Sequence, residues 1–125
     1  MTCFQNLREI VDSFEADETT RNDPIKRTFV IEGRHLTGND GLVSESDNAL
    51  HTQSKHDEVL VIIDGGVRFR VGDEVRMVQE GDLVFIPQGT LHGPELEDGQ
   101  TFSALSIFAP LFDPARNNIQ WERDA

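Results

Sequence analysis

The chain has 125 residues, with 11 Lys plus Arg against 23 Asp plus Glu and a formal net charge of −12. That length suits one domain with one hydrophobic core, divided as an N-terminal helix and loop over 1–24, a barrel over 25–109 and a tail over 110–125. So negative a field repels phosphate backbones and anionic lipid, which excludes nucleic acid and membrane surfaces as partners.

Cys3 is the single cysteine, so neither an internal disulfide nor a thiolate metal cage can form, and a small buried hydrophobe is its ordinary role. No apolar run reaches the roughly 20 residues of a membrane span, and the N-terminus lacks the basic-then-apolar pattern of a signal peptide. A cytoplasmic protein is the expectation.

Residues 2–15 predict a helix, because Phe4, Leu7, Ile10, Val11 and Phe14 recur on one stripe. Thr2 and Gln5 have the spacing of a capping box. The polar stretch 16–24, closed by Pro24, reads as a loop.

Strands follow. Residues 25–32 alternate Ile25, Arg27, Phe29 and Ile31 with Lys26, Thr28, Val30 and Glu32. Residues 33–48 are rich in Gly, Asn and Asp, with a short strand expected only around Leu42 and Val43. Further strands are expected at 58–63, 67–71, 74–78, 83–86 and 101–108, separated by turn signals such as Asp64-Gly65-Gly66 and Pro87-Gln88-Gly89. On the last long strand, Phe102, Ala104, Ser106 and Phe108 share one face and Thr101, Ser103, Leu105 and Ile107 the other; the pattern does not say which lines the interior. Trp121, in a polar tail, is expected to fold back on the barrel or a partner. Short strands at this spacing predict an all-β sandwich or barrel.

Two stretches carry chemistry. Residues 51–66 hold His51, Gln53, His56, Asp57 and Glu58 ahead of an apolar strand, and residues 81–93 end in His92 after a Pro-x-Gly turn. Strand alternation puts His51 and Gln53 on one face. The odd step to Glu58 requires an irregular turn near Ser54-Lys55, after which His56, Glu58, Leu60 and Ile62 share a face, while Asp57 points away. His51, Glu58 and His92 form a two-His, one-carboxylate set of the kind that holds non-haem iron with open positions. Each of these side chains alone is as well explained by a hydrogen-bonded or surface role; their joint spacing singles them out. His56 is the candidate acid–base residue or substitute ligand, against an ordinary exposed turn histidine. His35 is a weaker pocket candidate, against a solvated loop histidine.

These stretches resemble the two motifs of the cupin superfamily, Gly-x5-His-x-His-x3–4-Glu-x6-Gly and Gly-x5-Pro-x-Gly-x2-His-x3-Asn. The second is matched at Gly81, Pro87, Gly89 and His92, and the first at His51, Glu58 and Gly65. Three positions depart: Glu45 replaces the opening Gly, Gln53 the second His, and Leu96 the closing Asn. The resemblance covers about residues 42–108 and implies a jelly-roll barrel, a double-stranded β-helix, with a short N-terminal helix. It further implies one divalent ion (Fe, Mn, Ni or Zn) on His51, Glu58 and His92, with Gln53 a weaker fourth ligand. A neutral carboxamide oxygen in place of imidazole tilts such a site towards oxygen-loving metals. The implied function is a metalloenzyme, dioxygenase-like or an isomerase or lyase, acting on a small molecule inside the barrel. The alternative is a non-catalytic binding or sensing barrel. Pairing through a barrel edge implies a homodimer.

Overall fold

Short strands leave backbone amides and carbonyls unpaired unless neighbours satisfy them, and the chain meets that demand with two antiparallel sheets. The structure is a computed structural model and describes residues 3–17, 19, 25–44, 50–110 and 119–121, the last three as backbone only. Among these residues the elements are α1 (Leu7–Ala16), β1 (Ile25–Glu32), β2 (Thr37–Val43), β3 (His51–Gln53), β4 (Asp57–Asp64), β5 (Val67–Val71), β6 (Glu74–Val78), β7 (Leu83–Ile86), β8 (His92–Glu95), β9 (Phe102–Ala109) and β10 (Ile119–Trp121). One sheet runs β1-β2-β9-β4-β7 and the other β10-β3-β8-β5-β6, every pairing antiparallel. The two sheets close on each other as a jelly-roll barrel, the expected fold.

The period-two pattern sets which face is inside. In β4, Glu58, Leu60 and Ile62 are buried; in β5, Val67 and Phe69 are buried and Arg68 is exposed. These residues join Val78, Ile86, Phe102 and Ala104 in one core cluster. On β9 the face left undecided by the sequence resolves: Ala104, Ser106 and Phe108 line the interior. The turn before β5 depends on Gly65, whose φ is +102° and whose place a Cβ would take to 2.6 Å from the Thr101 carbonyl oxygen; a side chain there forces the two strands apart.

Five expectations change. The helix begins at Leu7, not near residue 2, because Asn6 caps it: its side-chain oxygen accepts from the Glu9 amide at 3.0 Å. Thr2 lies outside the described residues, and Gln5 donates to the Val30 carbonyl instead of closing a capping box. Phe4, left ahead of the helix, is exposed, as is Cys3. The short strand expected at 42–43 is in fact the seven-residue β2, whose polar residues are held by pairing with β1 on one side and β9 on the other.

The apolar stripe of α1 packs across β2, with Val11 fully buried. Arg8 fastens the helix to the end of β4 through Asp64 at 2.9 Å and the Ile63 carbonyl at 3.0 Å. Lys26 donates to the Phe14 carbonyl at 3.1 Å, satisfying a carbonyl of the last turn. No helix of the described residues is long and apolar enough to cross a membrane. The tail does return to the barrel: β10 pairs with β3, with Trp121 opposite His51 in register.

Asp40, in the middle of β2, has no exposed surface, and neither carboxyl oxygen has a hydrogen-bond partner among the described residues. Burial pushes its pKa up to about 6, opposed only by the Gly41 backbone amide. Because the folded value lies above the unfolded one, the native chain holds this proton more tightly. The resulting stability is complete below the ordinary carboxylate value and is lost as pH rises through about 6. Thermal unfolding should therefore show a melting temperature falling between pH 4 and 7, with a loss of up to ~3 kcal/mol from this group. Asp40→Asn should flatten that slope; a variant profile as steep as the parent's assigns the pH dependence elsewhere.

Candidate metal centre and barrel cavity

β3 and β8 meet at one residue pair, His51 opposite His92. Cross-strand neighbours on one face lie close enough for side-chain contact, and the two rings sit with centroids 4.2 Å apart at an interplanar angle of 55°. The bend at Ser54-Lys55 resets the alternation as expected, so Glu58 enters the same interior from β4. The Pro87-Gln88-Gly89 turn is pinned over both strands. Gly89 donates its amide to the Gln53 carbonyl at 2.8 Å, and Gln88 donates its amide to the Asp57 carboxylate at 2.9 Å. Asp57 thus points out of the interior, as its phase requires, and fixes the loop that delivers His92.

His92 and Glu58 are both buried, and His92 Nε2 lies 3.2 Å from Glu58 Oε1. His92 Nδ1 donates to the Thr90 carbonyl at 2.9 Å. A carbonyl oxygen only accepts, so Nδ1 carries a proton and Nε2 is the ring nitrogen turned towards Glu58. The two atoms are close, yet neither makes a well-formed hydrogen bond to any partner among the described residues. Two facing acceptors in a buried place repel unless a proton or a cation lies between them. A backbone carbonyl behind a histidine in this way is the usual support of a metal-ligating imidazole.

Gln53 and His56 are also buried. His56 Nε2 bonds to Gln53 Oε1, and the Gln53 amide nitrogen stands 3.4 Å from His51 Nε2. The carboxamide oxygen is thereby engaged by His56, and the amide hydrogens face His51. His56 packs edge-on against Phe108, with centroids 4.8 Å apart. It is therefore not the exposed turn histidine of the ordinary reading. Burial lowers its pKa, with Glu58 and Asp57 pulling the other way. His56 is outside the cavity lining and braces Gln53 from behind. His35 is exposed on a loop and takes no part.

Among the described residues, no three His, Cys, Asp or Glu side chains are gathered tightly enough to enclose an ion. What is present is a facing pair, Glu58 and His92, with the His51 ring tilted against His92 and the Gln53 amide beside it. The nitrogen and oxygen donors suit a first-row divalent ion, and the two unsatisfied atoms, Glu58 Oε1 and His92 Nε2, are where it fits.

This cluster closes one part of a cavity of about 350 Å³, which extends along the inner faces of β1, β2 and β9. Its lining adds three polar residues that the motif reading missed, Arg27, Asn39 and Ser106. The signal for Arg27 was available, since it shares phase with Ile25 and Phe29 on a strand whose apolar face turns inward. Asn39 carried none, because it lies in a stretch too polar to read as a strand.

The comparisons agree on the fold. The sequence profile of the cupin domain matches residues 43–108. A double-stranded β-helix protein from Klebsiella pneumoniae is similar at 17% identity, over 95% of this chain and 97% of its own, with a TM-score of 0.70. A cupin 2 conserved barrel domain protein from Rhodopseudomonas palustris is 24% identical over 83% of this chain and 72% of its own, with a TM-score of 0.62. KdgF from a Halomonas species is 20% identical over 77% and 89%, with a TM-score of 0.64. No curated protein matches the sequence. With more than half of its length matched by the family profile, and with His51, Glu58 and His92 brought into one barrel interior, the chain belongs to the cupin family.

Proposed function

We propose that this cupin binds one divalent metal ion and uses it to transform a small organic molecule in the barrel. The observation that carries the reading is the buried pair of acceptors, His92 Nε2 facing Glu58 Oε1 without hydrogen-bond partners. A cation between them removes the repulsion, and His51 supplies a neighbouring imidazole. When bound, the ion supplies Lewis-acid polarisation or dioxygen activation, which suits oxygenation as well as isomerase or lyase chemistry. The chain's own part is to hold the donors and exclude water. The Thr90 carbonyl fixes His92, and Phe108 and Leu60 form an apolar wall beside Glu58. Gln53 occupies the position of the second motif histidine, and His56 is its positioning residue.

Metal-free protein should take up about one divalent ion per chain in a calorimetric titration, and His92→Ala should weaken that uptake at least tenfold. Equal affinity in parent and variant removes His92 from the site, and no uptake by the parent removes the metal from the reading. Gln53→His should favour Ni or Zn, because imidazole suits those ions better than a carboxamide. His56→Ala should change affinity less than His92→Ala; if it instead abolishes binding while Gln53→Ala does nothing, His56 is the ligand.

The pairing of two copies belongs to the same proposal. β6 and β7 are edge strands of their two sheets. Met77, Leu83 and Phe85 on them are 63%, 66% and 53% exposed, more apolar surface than an unpartnered edge ordinarily shows. A second copy covers both the backbone edge and these side chains. Light scattering on a sizing column should give the mass of a dimer, and Phe85→Glu should give a monomer with an unchanged circular dichroism spectrum. A monomeric parent at tens of micromolar overturns the pairing.

A further inference from the structure

The inner faces of β1, β2, β9 and β4 line the cavity in cross-strand rows, each two residues from the next. In the first row Glu58 lies opposite Phe108, beside His51 and His92. The second sets Asn39 and Leu60 on either side of Ser106. The third is small on β2 and β9, with Gly41 opposite Ala104. The last is bulky and apolar, with Val43 between Ile25 and Phe102. From the Phe108 row to the Phe102 row is ~20 Å of strand.

Polarity is graded along this corridor. His51, Glu58 and His92 gather at one end. The other end is hydrocarbon: Phe69 enters from β5, and its ring lies 5.9 Å from that of Phe102. An apolar body leaving water gains free energy against such a wall. Ile25, exposed, is where this end of the lining meets solvent. A charged ligand finds no anchor here. Arg27 stands beside Gly41, but it already has a partner within the protein, and a net charge of −12 opposes an anion. A neutral polar group does have a place. Asn39 is 5% exposed, and its side-chain oxygen has no hydrogen-bond partner among the described residues. A buried acceptor without a donor costs free energy until one arrives, and a hydroxyl supplies one.

The geometry points to a small neutral alcohol with an apolar body as the ligand of this cavity, its body against Val43, Phe69 and Phe102 and its hydroxyl in the Asn39–Ser106 row. The hydroxyl end then lies one row from Glu58 and His92. This assignment rests on the reading that the barrel interior is the substrate site. The cavity of about 350 Å³ sets the size: it holds on the order of 12 non-hydrogen atoms at the ~30 Å³ that a water molecule takes in the liquid.

Calorimetric titration of the purified protein with four probes of similar size tests it. Phenylbutanol has the apolar body and the hydroxyl, its methyl ether lacks the donor, phenylbutyrate replaces the hydroxyl with a charge, and glucose has hydroxyls without the body. Phenylbutanol should bind saturably, at least tenfold more tightly than phenylbutyrate or glucose and at least fivefold more tightly than the ether. Ala104→Val narrows the small row and should weaken phenylbutanol at least tenfold with an unchanged circular dichroism spectrum. Should that variant fold poorly, Ser106→Val narrows the neighbouring row from a less buried position and should act likewise. Asn39→Leu should erase the preference for the alcohol over its ether. No saturable phenylbutanol binding, tighter binding of phenylbutyrate or glucose, equal binding of alcohol and ether, or indifference to both narrowing variants each overturns the assignment. The His92 titration decides the metal reading separately. Phenylbutanol binding in a protein that takes up no metal overturns the metal reading and leaves this one standing, and metal uptake without phenylbutanol binding does the reverse.

Discussion

The buried contact between the Glu58 carboxyl group and the His92 ring is the constraint on which the rest of this barrel depends. Glu58 and His92 come from different sheets, and each is buried where water cannot relieve it. Removing a carboxylate from water is costly, and an arrangement that leaves it short of partners persists only where the surrounding structure enforces it. The enforcement is visible. Asp57 and the Gln53 carbonyl pin the Pro87–Gly89 turn, Thr90 fixes the His92 ring, and two long pairings hold β4 between β7 and β9. Polar frustration inside a rigid frame is what a ligand-binding site requires before its ligand arrives.

The polar interior is divided between the two faces of β2. Asn39 and Gly41 turn into the barrel and shape the cavity. Asp40 turns to the opposite face, the face across which α1 packs. Strand alternation makes this division unavoidable: a strand that contributes polar residues to the cavity at every second position places the intervening residues under the helix. Arg8 and Lys26 hold that helix down by polar bonds at both of its ends, so its docking does not depend on the apolar stripe alone.

The architecture was legible where residues alternate strongly. β1, β5, β6 and β7 have the boundaries that alternation and turn glycines predict. β2 was largely invisible, because Thr37, Gly38, Asn39 and Asp40 lack any apolar rhythm and become a strand by pairing on both sides. β3 and β8 are short and rich in polar residues, and they are recognisable only as the places where His51 and His92 sit. The helix starts later than the Thr2–Gln5 spacing predicts, because Asn6 caps it and the tertiary bond from Gln5 to Val30 takes up the glutamine side chain.

By itself the sequence determined the class of fold, the turn positions and that His51, Gln53, Glu58 and His92 meet in the barrel, because motif spacing and strand phase are properties of the chain alone. Tertiary structure decided their relations. It buried His56 behind Gln53 instead of leaving it on a turn, turned the Phe102–Phe108 face of β9 inward, and set Arg27 and Asn39 along the corridor to the His–Glu cluster. These outcomes depend on which strands become neighbours and in what register, and contacts between residues far apart in sequence are set by the packing of two whole sheets rather than by any local pattern.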